Sequence, residues 1–133
     1  MAKSALLIVD LQNCFCPPNG ELAVQDGDKI VNLVNQVIEF AKSRMWKIFA
    51  SRDWHKKNSR HFSVNGGMWP VHGVENTWGA RFHPDLILPE DAIIISKGME
   101  ICTPLEVCAS RTTFSCLAAT FALKVSGIFM VGM

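Results

Sequence analysis

No stretch of the 133 residues is long and apolar enough to span a membrane. The first apolar run, Ala5 to Val9, stops at Asp10 and is too short even for the core of a secretory leader. No charge of one sign prevails either. Thirteen Lys and Arg stand against twelve Asp and Glu, a formal +1, and they are scattered along the chain. The basic stripe that nucleic acid or an anionic membrane surface would require is therefore missing. So is a disulfide framework: Cys14, Cys16, Cys102, Cys108 and Cys116 make an odd count with no leader, which fits reduced thiols in the cytoplasm. Cys14-x-Cys16 lacks the two-residue spacer of a zinc knuckle or redox pair, and small buried hydrophobes are the favoured reading of each cysteine. No repeat, linker or low-complexity segment interrupts the sequence. Its length suits one domain, residues 1–133, with a real core.

What is present alternates between strands and helices. Ala5 to Val9 reads as a strand buried on both faces. Asp26-Gly-Asp28 is a plausible helix start, after which Ile30, Leu33, Val34, Val37, Ile38 and Ala41 recur at helical spacing. Lys42 and Arg44 fall in the last turn, where the helix dipole favours cations. Lys47 to Ser51 is a second strand, Ala92 to Ser96 a third, and Ile128 to Val131 a fourth. Ser110 to Lys124 reads as a helix that Gly127 would cap. The expectation is an α/β fold with a parallel sheet covered on both faces.

Between Asp53 and the third strand run 38 residues, Trp54 to Asp91, with almost no periodicity. So long an irregular connection in a small domain marks a binding loop. It holds all four histidines, His55, His61, His72 and His83. Open parallel sheets bind ligands beyond the carboxyl ends of their strands, and Asp10, Asp53 and Lys97 each occupy such an end. Asp53-x-His55 in extended backbone places both side chains on one face, and His61 and His72 can loop back to it. A carboxylate with imidazoles suits zinc, iron or manganese. Asp-x-His pairs are common and a loop histidine is more often a surface or hydrogen-bonded residue than a ligand, so spacing alone gives the metal site even odds. Asp10 and Lys97 could shuttle a proton and steady negative charge, or form a plain salt bridge. Phe15 and Trp69 could wall a flat ring, although core packing is the reading that pattern alone favours. His83 reads as structural.

These residues carry a resemblance. Ala5-Leu-Leu-Ile-Val-Asp10-Leu-Gln-Asn13, Arg52-Asp-Trp-His55, His61-Phe-Ser63, Trp69-Pro-Val-His72, Thr77-Trp-Gly79, Phe82-His-Pro-Asp-Leu86 and Ser96-Lys-Gly98 stand in the order found in nicotinamidases and pyrazinamidases. The chain thus resembles the isochorismatase-like cysteine hydrolases over residues 4–98. The resemblance implies a three-layer, parallel-sheet, Rossmann-like fold. It also implies hydrolysis of nicotinamide to nicotinate and ammonia in NAD salvage, with pyrazinamide as a second substrate. In the family a cysteine thiolate attacks the amide carbonyl and forms an acyl-enzyme. The residue matching Asp10 takes the thiol proton and passes it to ammonia, while the one matching Lys97 lowers the thiol pKa. Asp53, His55 and His72 match ligands of a divalent metal, zinc first and iron or manganese as alternatives. His61 matches a fourth ligand present in some members. Phe15 and Trp69 match the residues that sandwich the pyridine. Small amides are the implied partners, with no nucleic acid or membrane, and a homo-oligomer is allowed for.

The sequence also departs from the family. The family nucleophile follows the fourth strand in a Gly-x-Ala-x-Asp-x-Cys-Val block, whereas here Ile128-Phe-Met-Val-Gly132-Met133 closes the sequence. The expectation is a fold incomplete after its fourth strand, with that strand's edge left open, and no activity in this form. Met99 to Cys108 does not match, Cys14 stands where Asp is common, and Gly73 stands where Cys is common. Cys116 falls inside a helix, and nothing supplies Cys14 or Cys16 with an oxyanion donor pair, so none of the three is expected to replace the nucleophile. The alternatives are a catalytically dead module that binds metal and pyridine, or a degenerate gene product.

Overall fold

The computed structural model describes residues 4–99 and 127–132. Within them four parallel strands form one sheet: β1 (Ser4–Val9), β2 (Lys47–Asp53), β3 (Ile93–Lys97) and β4 (Gly127–Gly132), in the order β3-β2-β1-β4. β1 therefore lies inside the sheet, which is why its sequence is apolar from Ala5 to Val9 instead of alternating. Its register runs from Ala5↔Lys47 to Val9↔Ser51 on one side and from Ser4↔Gly127 to Val9↔Gly132 on the other.

Parallel neighbours need a crossover, and α1 (Val31–Ser43) makes the one from β1 to β2. Val31, Val34, Ile38 and Ala41 are its buried residues and pack with Leu6, Ile8, Ile48 and Ala50 of the sheet. Each large aliphatic side chain buried there contributes roughly 1.5–3 kcal/mol. Leu33, expected on that face, is 55% exposed. At about 100° per residue it lies outside the arc that the buried positions span. The helix also starts later than Asp26-Gly-Asp28 suggests. Asp26 takes a left-handed backbone and makes no side-chain cap, and a 3-10 turn at Gly27–Ile30 leads into α1. Lys42 is in the last turn as expected, while Arg44 is the residue just past it.

Three strands, β2, β3 and β4, end one or two residues later than their apolar content indicates. β2 continues past Ser51 because β3 keeps pairing with it, Arg52 against Ser96 and Asp53 against Lys97. β1 stops at Val9, and Asp10 turns the chain away with a left-handed φ of 52°. The long connection from β2 to β3 holds only a short 3-10 turn, Ser63–Asn65, and three isolated bridges, Gln12↔Phe82, His55↔Val74 and Phe62↔Trp69. Fully buried Phe62 anchors it.

Gly127, expected as a helix cap, is the first residue of β4. The helix expected over 110–124 and the cysteines Cys102, Cys108 and Cys116 lie outside the described residues. Among the described residues α1 is the helix that covers the sheet, and no helix is long and apolar enough to cross a membrane.

Candidate metal centre and active site

Because β1, β2 and β3 are parallel, their carboxyl ends meet along one edge, and three ionisable residues meet with them. Asp10 follows β1, Asp53 ends β2 and Lys97 ends β3. The Lys97 Nζ lies 2.8 Å from Asp10 Oδ2 and also donates to Asp53 Oδ1. A lysine expected to pair with Asp10 thus bridges two carboxylates. The Ser51 hydroxyl donates to Asp10 Oδ1 at 2.8 Å. Burial works against the charge on Lys97, but Asp53 and Asp10 outweigh it and raise the ammonium pKa. Burial likewise works against an ionised Asp53, yet the adjacent His55 and His72 rings and the Lys97 charge hold it well below the usual carboxylate range.

The histidines arrive on the loop by backbone pairing. The His55 N–H donates to Gly73 O at 3.0 Å and the Glu75 N–H donates to His55 O at 2.9 Å, which sets His72 beside His55. Lys56 closes the same joint by holding both Glu75 carboxylate oxygens at 2.9 and 2.7 Å. The ring nitrogens are then sorted by their contacts. His55 Nδ1 is 3.2 Å from Gly98 O and His72 Nδ1 is 2.7 Å from Pro70 O. A carbonyl can only accept, so each Nδ1 carries the proton and each Nε2 presents its lone pair when the ring is neutral. Both Nε2 atoms lie 3.5 Å from Asp53 Oδ2.

His61 completes the group, its ring stacked on His55 at 4.7 Å. One nitrogen from each of His55, His61 and His72 lies within 4.8 Å of the others. Burial, and then the neighbouring His55 and His72, push the His61 pKa down to about 4, so its lone pair is free at neutral pH. For His72 burial lowers the pKa, but the Asp53 carboxylate and the Pro70 carbonyl outweigh it and the value rises. His55 Nε2 is buried without a hydrogen-bond partner. Such an orphaned lone pair costs desolvation energy unless something electrophilic meets it. Three converging imidazoles beside an ionised carboxylate are the donor set of a divalent cation, so the residues fit a metal.

Phe15 and Trp69 are not core residues, contrary to the reading that pattern alone favoured. Phe15 is half-buried with its ring 5.7 Å from that of His72. Trp69 is 46% exposed and its ring lies 6.0 Å from that of His61. Trp69 sits on the loop that carries the histidines, and Phe15 ends the short 3-10 turn Asn13–Phe15 after β1, so both flank the cluster from outside the sheet.

The family model described as an isochorismatase domain matches residues 4–117. The chain belongs to the isochorismatase family. Its similarity to the nicotinamidase of Escherichia coli K12 is 38% identity over 113 residues, covering 74% of this chain and 53% of that protein. Among solved structures, the pyrazinamidase of Pyrococcus horikoshii in complex with zinc superposes with a TM-score of 0.78 at 36% identity, over 98% of this chain and 70% of that one. An Acinetobacter baumanii nicotinamidase and pyrazinamidase superposes with a TM-score of 0.80 at 29% identity, over 100% of this chain and 72% of that one. The fold is therefore the α/β isochorismatase-like fold, and the chain spans about half the length of the curated relatives it matches.

In this isochorismatase-family chain Cys14 and Cys16 are both buried and free. Burial, followed by the charges of Asp53 and Glu21, pushes the Cys14 thiol up to about 12, so it is no thiolate at neutral pH. His83 accepts the Asp85 N–H at 3.2 Å and donates its own N–H to Leu11 O, a turn-building role. Sequence reasoning missed Gly98. It carries a left-handed φ of 72°, and its Cα sits so close to the His55 ring that a Cβ would overlap Cε1 and Nδ1. Its signal was a glycine directly after a charged strand end. Gln12 was missed as well; its position inside the Asp10 motif was the only hint.

Proposed function

We propose that this chain carries the metal and acid–base machinery of a nicotinamidase-type amide hydrolase acting on nicotinamide and pyrazinamide in NAD salvage. The observation that supports it most is Lys97 joining Asp10 to Asp53, because it places a proton acceptor directly beside the histidine cluster. Asp53, His55, His61 and His72 would hold the cation, with zinc ahead of iron or manganese. When bound, the cation supplies a Lewis-acidic position for a ring nitrogen or a water. Asp10 is the group that takes and returns a proton, and Lys97 keeps it oriented and offsets charge that develops nearby. Phe15 and Trp69 bound the space a flat heteroaromatic ring would enter. The names of the relatives support the substrate class.

Among the described residues neither Cys14 nor Cys16 meets the demands on the nucleophile, and our reading is that the 133-residue chain assayed alone binds and does not turn over. Calorimetry with zinc, then with nicotinamide on the zinc-loaded protein, tests the reading, together with an ammonia-release assay. Expected are heats of binding in both titrations and no ammonia. A folded sample that takes up neither zinc nor nicotinamide overturns the function. Ammonia release lost in Asp10→Ala would overturn only the claim of inactivity.

A further inference from the structure

The side-chain amide of Gln12 is fully buried and makes three bonds. Its Nε2 donates to the carbonyl of Asp53 at 2.9 Å and to that of Ala80 at 2.9 Å, and its Oε1 receives the Asp53 N–H at 2.7 Å. These partners fix which end is oxygen, since the flipped amide would face two carbonyl oxygens with its own oxygen. Where Gln12 sits explains the bonds. β1 pairs with β2 only as far as Val9↔Ser51, and Asp10 then turns the chain away. The N–H and C=O of Asp53 on that side have no strand beside them. The Gln12 amide offers one donor and one acceptor, as a peptide group would, and so carries the ladder one step further. That step falls on the residue whose carboxylate faces Lys97, His55 and His72.

The second Nε2 hydrogen ties in the loop. Around Ala80, the Asn13 N–H donates to Arg81 O and the Cys14 N–H to Gly79 O, both at 2.9 Å. The Gln12 N–H donates to Asp10 O at 2.7 Å. One residue therefore touches the turn that bears Asp10, the backbone of Asp53 and the stretch that follows His72.

We propose that Gln12 is a positioning residue for the metal centre: its amide replaces a missing strand and holds Asp53 so that the carboxylate stays between Lys97 and the two imidazoles. The inference rests on reading the histidine cluster as a metal centre. Its test compares zinc dissociation constants, by competition with a chromophoric chelator, for the wild-type 133-residue chain, Gln12→Met and Asn35→Ala. Asn35 of α1 is a control of the same chemistry, its exposed amide bonding Asp85 O and the Ile87 N–H. Outer partners of metal ligands are worth about 10–100-fold in affinity. A weakening of that size is expected in Gln12→Met, with a shifted visible spectrum of its cobalt form, and less than about twofold in Asn35→Ala. Wild type and Gln12→Met binding zinc equally overturns the inference. A folded wild type that binds no zinc overturns the metal-centre reading beneath it. If Gln12→Met does not fold, hydrogen exchange of the wild type decides: zinc should slow exchange of the Asp53 N–H, and an unchanged rate overturns the proposal.

Discussion

Lys97 Nζ meets Asp10 Oδ2 at 2.8 Å although their strands are not neighbours: the lysine reaches from the end of β3 over β2 to the turn after β1. Both groups are largely buried, and Asp53 shares the same ammonium. Removing the ammonium leaves the Asp10 and Asp53 carboxylates without the charge that joins them. Breaking a buried pair in this way typically costs about 3–5 kcal/mol. Lys97→Met should therefore lower unfolding free energy by roughly that amount in urea melts. The double variant Lys97→Met with Asp10→Asn should recover part of the loss. A single variant as stable as wild type would show that the pair contributes nothing.

The pH dependence of stability follows from three groups, measured in EDTA to keep metal away. Asp53 is depressed, burial being outweighed by His55, His72 and Lys97, so its stabilisation is complete above the unfolded value of 3.8 and is lost below it. His61 is lowered from 6.5 to about 4, first by burial. Across that window the unfolded chain takes up a proton the folded chain refuses, and stability falls as pH falls. His72 is raised, because Asp53 and the Pro70 carbonyl outweigh burial, so its contribution is lost as pH rises above 6.5. A stability maximum near pH 6.5 is expected, with an acid limb that steepens below about 4. His61→Leu should flatten the limb between pH 6.5 and 4 and leave the steeper one. Thermal melts across pH check both, and a wild-type curve level from 6.5 to 4 contradicts the assignment.

Gly98 fixes the orientation of His55 through contact and not through charge. Its carbonyl faces His55 Nδ1 at 3.2 Å, and its Cα packs against the ring. Alanine there meets two penalties, a left-handed backbone worth about 1–2 kcal/mol and a Cβ overlapping the imidazole. Gly98→Ala should lose at least the first amount and bind zinc more weakly than wild type. Gly66→Ala is the comparison, since Gly66 has a left-handed φ of 92° with open space around it. It should show the backbone cost and unchanged zinc affinity.

The sequence exposed those parts of the site that sit where strands stop. Asp10, Asp53 and Lys97 were visible because each stands at or within three residues past the end of an apolar run, and runs of that kind report buried parallel strands. The long connection and its histidines were visible because periodicity failed there. What stayed hidden depends on pairing register, which no local pattern encodes. Asp53 opposite Lys97 follows from the β2–β3 register, and the bridge from Lys97 to both carboxylates follows from the strand order. Gln12 was hidden for a related reason: a glutamine replacing a strand looks like any polar residue after a turn. Leu33 misled because an apolar residue one step outside the helix stripe still fits a loose count.

The buried cysteine beside the site gives the sharpest chemical prediction. Cys14 has no solvent exposure, and its thiol faces the charges of Asp53 and Glu21, which with burial hold it at about 12. Attack on an electrophile requires thiolate, and at pH 8 a thiol of that pKa supplies roughly one part in ten thousand. A Cβ built on Gly73 would lie 3.7 Å from the Cys14 sulfur and 3.0 Å from the Asp53 Cβ, so the thiol is packed into the wall of the site and does not point into open space. Native protein treated with iodoacetamide at pH 8 should leave Cys14 unmodified in peptide mapping, while urea-unfolded protein is labelled there at the ordinary rate. Cys14→Ser should keep zinc binding, because no cation depends on that sulfur. Rapid labelling of Cys14 in the folded chain would instead mark it as an activated thiol and return it to consideration as a nucleophile.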